Sequence, residues 1–138
     1  MTEPRQKLME TLGETGCYFL SIIRAAEKII DRRIDAIEAF ILCKNKGWVG
    51  SDCFVHSPEL VISYLTLINW TMTKEDAKYK PKPGEIVIYR YERNTTLKTY
   101  GHFVLAGADG AVEYDPLGTS QTVMHGKMVS MRVFRRKA

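Results

Sequence analysis

Apolar residues recur at helical spacing in the first half of the chain and gather into short alternating runs in the second. From Cys17 onward, Phe19, Ile22, Ile23, Ala26, Ile29 and Ile30 fall on one helical face, while Ser21, Arg24, Glu27 and Lys28 fill the other. That spacing predicts a helix with one buried side, stopping near Asp31-Arg32-Arg33. A second helix follows, with Ile34, Ile37, Phe40 and Ile41 inward and Gly47 as terminator. After a loop at Gly47-Trp48-Val49-Gly50-Ser51-Asp52, Ser57-Pro58-Glu59 reads as an N-cap and a first-turn proline. They open a third helix, apolar on most sides and therefore expected to be well covered, running to about Ile68. Met1 to Glu14 is mixed and polar, consistent with a short helix or arm.

Thr71 to Lys82 is the most polar stretch and reads as the connection between a helical half (about 1–70) and a stranded half (about 83–136). Glu85 to Tyr91 is β-rich. Phe103 to Ala106 and Ala111 to Tyr114 form a hairpin around Asp109-Gly110, and Met128 to Phe134 predicts a last strand after a loop from Gly118 to Gly126. Helices followed by an antiparallel meander define an α+β arrangement. With 138 residues and 45% hydrophobic composition, the expectation is one domain spanning 1–138.

The hairpin carries the candidate chemistry. One strand opens with His102, and the other closes with Asp115. A two-residue loop would set Asp115 diagonal to His102 on the same face, a gap of roughly 7 to 8 Å that the two side chains can close. A four-residue loop would set them directly opposite, and a three-residue loop would put them on different faces. A carboxylate-oriented imidazole serves a nucleophile, and the best candidate upstream is Cys17 in Glu14-Thr15-Gly16-Cys17-Tyr18-Phe19. A thiol at a helix N-terminus feels the positive end of the helix dipole, which favours the thiolate.

Composition trims the alternatives. The net charge of +4 suits an acidic polymer, yet the charges are dispersed. The densest cluster, Arg132, Arg135, Arg136 and Lys137, reads as a solvated tail before a binding patch, which makes nucleic acid a disfavoured partner. Cys17, Cys43 and Cys53 are an odd set, no apolar segment follows a basic start, and no run approaches a membrane span. The expectation is synthesis in a reducing cytoplasm, without membrane insertion. Cys43 reads as structural. Cys53 with His56 has the spacing of half a zinc site but no second pair, so no metal and no cofactor are expected. His125 reads as a loop residue, Tyr18 and Tyr100 as cleft-lining, and Trp48 and Trp70 as core or rim.

Gly16-Cys17-Tyr18-Phe19 before an apolar helix, Gly101-His102-Phe103-Val104-Leu105, and Glu113-Tyr114-Asp115-Pro116-Leu117-Gly118 stand in the order of the papain-like cysteine peptidase superfamily, which the chain resembles. The last two are similar to the bacteriocin-processing peptidases. Pro83-Gly84-Glu85-Ile86-Val87 resembles the strand entry of the NlpC and CHAP kinds, which usually carry Asp where this chain has Glu85. The resemblance implies N-terminal helices packed on a C-terminal antiparallel sheet. It also implies a bacterial or phage cysteine hydrolase, peptidase or amidase, with Cys17 as nucleophile, His102 as base and Asp115 as orienting group. The substrate would be a peptide or a peptidoglycan stem, reached in the latter case by a phage or secretion route.

One position departs from that pattern. The usual oxyanion glutamine stands five or six residues before the cysteine, where this chain has Leu12 and Thr11. The remaining candidates are the Cys17 backbone N–H and Gln6. The departure keeps a second reading open, a catalytically inactive module that binds peptide or assembles into a larger complex.

Overall fold

A computed structural model describes residues 11–12 and 16–137. Helix α1 spans Cys17–Ile30, α2 Ala36–Asn45 and α3 Pro58–Thr66; strands β1 (Trp70–Asp76), β2 (Ile86–Asn94), β3 (Thr99–Ala106) and β4 (Val112–Tyr114) follow, then α4 (Gln121–His125) and β5 (Lys127–Arg136). The strands form one antiparallel sheet in the order β1-β5-β2-β3-β4. The α+β class and the order of helices before sheet agree with the sequence reading. Among the described residues, no helix is long and apolar enough to cross a membrane.

Alternation along the strands gives the sheet two apolar faces. Ile88, Leu105 and Phe134 pack with α1, α2 and α3 through Phe19, Ile22, Ile23, Phe40, Val61 and Ile62. Val87, Tyr89, Val104, Met131 and Val133 form the other face, closed by Val123 of α4. β3 lies in both layers, since Leu105 belongs to the first and Val104 to the second. A residue's parity in β3 therefore decides which layer it enters.

Several expected elements differ. Trp70–Asp76, inside the stretch read as a connection, is an edge strand paired with β5 from Trp70↔Arg136 to Asp76↔Ser130. An edge strand is half solvated, so Thr71, Lys74 and Asp76 sit there without disturbing a core, and only Trp70 and Met72 turn inward. In α2 the buried face is Ala39, Phe40 and Cys43, whereas Ile41 is 49% exposed. The helix starts later than expected because Asp35 caps it, accepting from the Ile37 and Glu38 N–H groups. Leu60 and Tyr64 leave α3 with an apolar exposed side, and Leu67 beyond its end is 88% exposed. The stretch between Gly118 and Gly126 contains α4, capped by Ser120 Oγ accepting from the Val123 N–H.

The basic C-terminus is not a free tail. Arg135 pairs with Glu85, reaches Glu75 at 3.7 Å, and donates to Thr73 Oγ1 and Tyr79 Oη. The Glu85 side chain is only 7% exposed and also accepts from the Lys82 N–H and Tyr79 Oη. Burial works against its charge, but those bonds and the Arg135 guanidinium hold its carboxyl below the usual range.

A carboxylate depressed in the folded state stabilises above its unfolded pKa, about 4.3, and loses that contribution as pH falls through its folded pKa. Glu85→Gln is therefore expected to lower stability at pH 7 by about 1–3 kcal/mol, as befits an interrupted ion pair. It should also flatten the acid limb of a urea-denaturation series. An acid limb identical to that of the wild type would show that Glu85 does not anchor β5.

Candidate active site

Cys17 is the first residue of α1, where the N–H groups of the first turn have no intrahelical partner. The chain enters the helix through Gly16, whose N–H donates to the Leu12 carbonyl at 3.1 Å. A Cβ on Gly16 would lie 2.6 Å from the Leu12 Cα, so glycine permits this close approach. The thiol reaches the edge of β3, where the Phe103 N–H donates to Sγ at 3.5 Å. That N–H is free to do so because β4 is short and pairs only Leu105 and Ala106.

His102 sits on the β3 face of Val104 and is buried beneath the layer that α4 closes. Its Nε2 lies 2.7 Å from Asp115 Oδ1, and each side chain is 6% exposed. Nδ1 is the ring nitrogen not taken by Asp115, and His102 and Cys17 are near enough for each to shift the other's titration. Asp115, His102 and Cys17 are thus brought together around one end of β3.

The route by which Asp115 reaches that place differs from every loop length considered alone. Gly107 N–H donates to the Ala111 carbonyl at 2.8 Å, so the turn holds Ala108, Asp109 and Gly110, three residues, with Ala106 opposite Val112. Such a turn by itself would send Asp115 to the wrong face. The pairing then shifts by one, to Leu105↔Tyr114, which leaves Glu113 as a bulge. The bulge restores the parity, and Asp115 follows Tyr114 diagonal to His102, as a two-residue loop would have placed it. Lys28 holds Glu113 by an ion pair at 2.5 Å and so ties the bulge to α1.

Backbone donors fix the carboxylate. Leu117 N–H donates to Oδ1 at 2.9 Å and Ser120 N–H to Oδ2 at 3.2 Å, while Gly118 N–H bonds to the Asp115 carbonyl at 2.8 Å. This is an Asx-type turn fused to the cap of α4. The donors that Ser120 and Phe103 give to Asp115 and Cys17 are backbone N–H groups, which no sequence motif announces.

The thiols titrate apart. Burial pushes Cys17 up, but the His102 hydrogen bond, the Phe103 N–H, the imidazolium charge and the Tyr18 N–H outweigh it and leave the thiol below its ordinary value. Burial likewise works against the His102 cation, yet its bonds to Cys17 and Asp115 and their charges raise its pKa. Burial drives Cys43 up to about 11; burial, followed by the charges of Cys17 and Asp52, drives Cys53 up to about 12. Of the three thiols only Cys17 is shifted toward the thiolate.

The other sequence candidates divide. Gln6 lies outside the described residues. Leu12, at one of the places where a papain-like oxyanion glutamine would stand, is fully buried in the core. Tyr18 stacks on Phe103, whereas Tyr100 lies against Arg93 and Lys98. Trp70 is core and donates Nε1–H to Thr66 Oγ1 at 3.0 Å; Trp48 packs on Tyr64. His125 ends α4 rather than standing in a loop. Among the described residues, no three His, Cys, Asp or Glu side chains gather as a metal site, so the Cys53 and His56 half-site has no completion there. A cavity of about 560 Å³ near Lys28, Pro83, Tyr89 and Asp109 contains none of the three site residues.

A family model described as "Protein of unknown function, DUF261" matches residues 1–136, and the chain belongs to that family. Comparison with curated proteins found no match. Comparison with solved structures found none either.

The thiol is lowered and the imidazole raised, so both shifts favour the thiolate–imidazolium pair over the neutral one. Asp115→Asn removes a charge that favours the imidazolium, so His102 is expected to titrate lower and Cys17 higher. Imidazole NMR shifts and ultraviolet thiolate absorbance against pH follow both groups. Unchanged titrations would mean that Asp115 does not govern the pair.

Proposed function

We propose that this protein is a cysteine hydrolase of papain-like fold that cleaves an amide bond in a peptide. The observation that carries the reading is the Asp115–His102–Cys17 line, with sulfur at a helix start and burial overcome on both titrating partners. In the reaction the Cys17 thiolate attacks the carbonyl carbon, forming a C–S bond and an oxyanion. The Cys17 backbone N–H, unpaired within the helix, is the donor available to that oxyanion. His102 passes its proton to the nitrogen as the C–N bond breaks, leaving a thioester. It then takes a proton from water, which attacks the thioester and releases acid and thiolate. Asp115 keeps the ring oriented and its cation favoured throughout.

The order of parts supports the papain-like assignment: nucleophile at the first residue of a core helix, histidine in a sheet strand, and carboxylate after the next strand. Peptide segments and peptidoglycan stems both present such an amide. A second reading draws on Leu12, whose burial fills with an apolar side chain a place where an oxyanion glutamine is usual. On that reading the fold binds peptide without cleaving it.

Turnover of a panel of fluorogenic peptide amides and peptidoglycan fragments separates the two. Hydrolysis should vanish in Cys17→Ala and fall by about 10²- to 10⁴-fold in Asp115→Asn. Hydrolysis that survives Cys17→Ala would contradict the mechanism. Saturable binding without turnover would establish the binding module instead.

A further inference from the structure

Arg90 and Arg132 rise from adjacent strands on the helix-covered face of the sheet. Arg90 is opposite Phe103 on β3 and Ser130 on β5, and Arg132 is opposite Ile88, so the two arginines are diagonal neighbours. Both guanidinium carbons lie 5.3 Å from the centroid of the Phe103 ring. The same ring stacks on Tyr18 at 4.4 Å and 15°, and the Phe103 N–H holds the Cys17 sulfur. Two cations therefore converge on the aromatic pair that seats the nucleophile.

Their charges are poorly answered. Arg135, elsewhere in β5, shows a satisfied arginine, with Glu85, Glu75, Thr73 and Tyr79 around it. Arg132, among the described residues, has no carboxylate within ion-pair distance and donates to Ser130 Oγ at 2.9 Å. Arg90 reaches Glu92 only through Nε, at 3.4 Å. Burial and then the neighbouring Arg90 charge lower the Arg132 pKa, against the opposing influence of Tyr18. Two half-buried like charges without a full counter-charge are costly, and an arriving anion relieves that cost.

Two further features point the same way. A Cβ on Gly101 would lie 2.4 Å from Arg90 Nη2, so glycine opens the place where this guanidinium crosses β3, one residue before His102. The Tyr18 hydroxyl is buried without a hydrogen-bond partner among the described residues and feels the Arg132 charge. It is a spare donor beside two cations.

We propose that Arg90, Arg132 and the Tyr18 hydroxyl form a carboxylate-binding subsite beside Cys17, so that the preferred substrate is an acidic peptide with its charge close to the scissile amide. The inference rests on the hydrolase reading for its meaning, but its test does not. Iodoacetate and iodoacetamide are close in size and differ in charge. With either, sulfur forms the C–S bond as the C–I bond breaks and iodide leaves. The His102 imidazolium acts on both wild type and variants, so the change in rate ratio isolates the arginines.

Arg90→Gln and Arg132→Gln are each expected to lower the iodoacetate-to-iodoacetamide ratio by about fivefold, the scale of one partly screened charge. Lys78→Gln, on the surface, should leave it unchanged. In parallel, succinate titrated into the wild-type protein should shift the Nε–H resonances of Arg90 and Arg132 saturably, and those of the exposed Arg24 much less. An unchanged ratio, or succinate shifts spread evenly over the arginines, would overturn the subsite. A wild-type Cys17 inert to iodoacetamide would overturn the hydrolase reading and leave the succinate result to decide the subsite alone.

Discussion

The hydrogen bond between His102 and Asp115 is the constraint to which the second half of the chain conforms. Both side chains are almost wholly buried, so neither tolerates the loss of its partner cheaply. To bring them together the β3–β4 hairpin combines a three-residue turn with a bulge at Glu113, and the chain beyond β4 folds into an Asx turn that runs into the cap of α4. Together they place one carboxylate oxygen 2.7 Å from one ring nitrogen.

The shortness of β4 links that half to the helices. Had the strand continued, it would have taken the Phe103 N–H and covered the edge at which Cys17 arrives. Because it stops at Tyr114, an edge that would otherwise be a liability receives a sulfur atom, and the thiol gains a backbone donor. β3 alternates between two layers, with His102 directed to the α4 side and Phe103 to the α1 side. Cys17, His102 and the arginine pair thus meet around consecutive residues of one strand while drawing on different layers of the protein.

Much of this was legible in the residues. The α1 periodicity and the punctuation at Ser57-Pro58 located two helices, and the Asp109-Gly110 hairpin put His102 and Asp115 within reach of each other. The bulge was not legible, since Glu113 carries no mark of it and two wrong-parity steps cancel to a result that a simpler turn would also give. Strand β1 escaped because its inward alternation is confined to Trp70 and Met72, with Lys74, Glu75 and Asp76 following. The C-terminal arginines read as a tail because charge density alone cannot distinguish solvated residues from Arg135, paired with the buried Glu85, or Arg132, resting on Phe103. Contributions made by backbone groups, the Phe103 and Ser120 N–H donors among them, have no sequence signature at all.

The central claim is that the fold favours the Cys17 thiolate while pushing Cys43 and Cys53 toward the thiol. The most direct test is the rate of iodoacetamide alkylation at pH 6, with the modified residue mapped by mass spectrometry. The account predicts rapid, stoichiometric labelling of Cys17 alone, slowed strongly in His102→Asn. Slow labelling of Cys17, at a rate that grows only as pH approaches the ordinary thiol range of about 8.5, would contradict it.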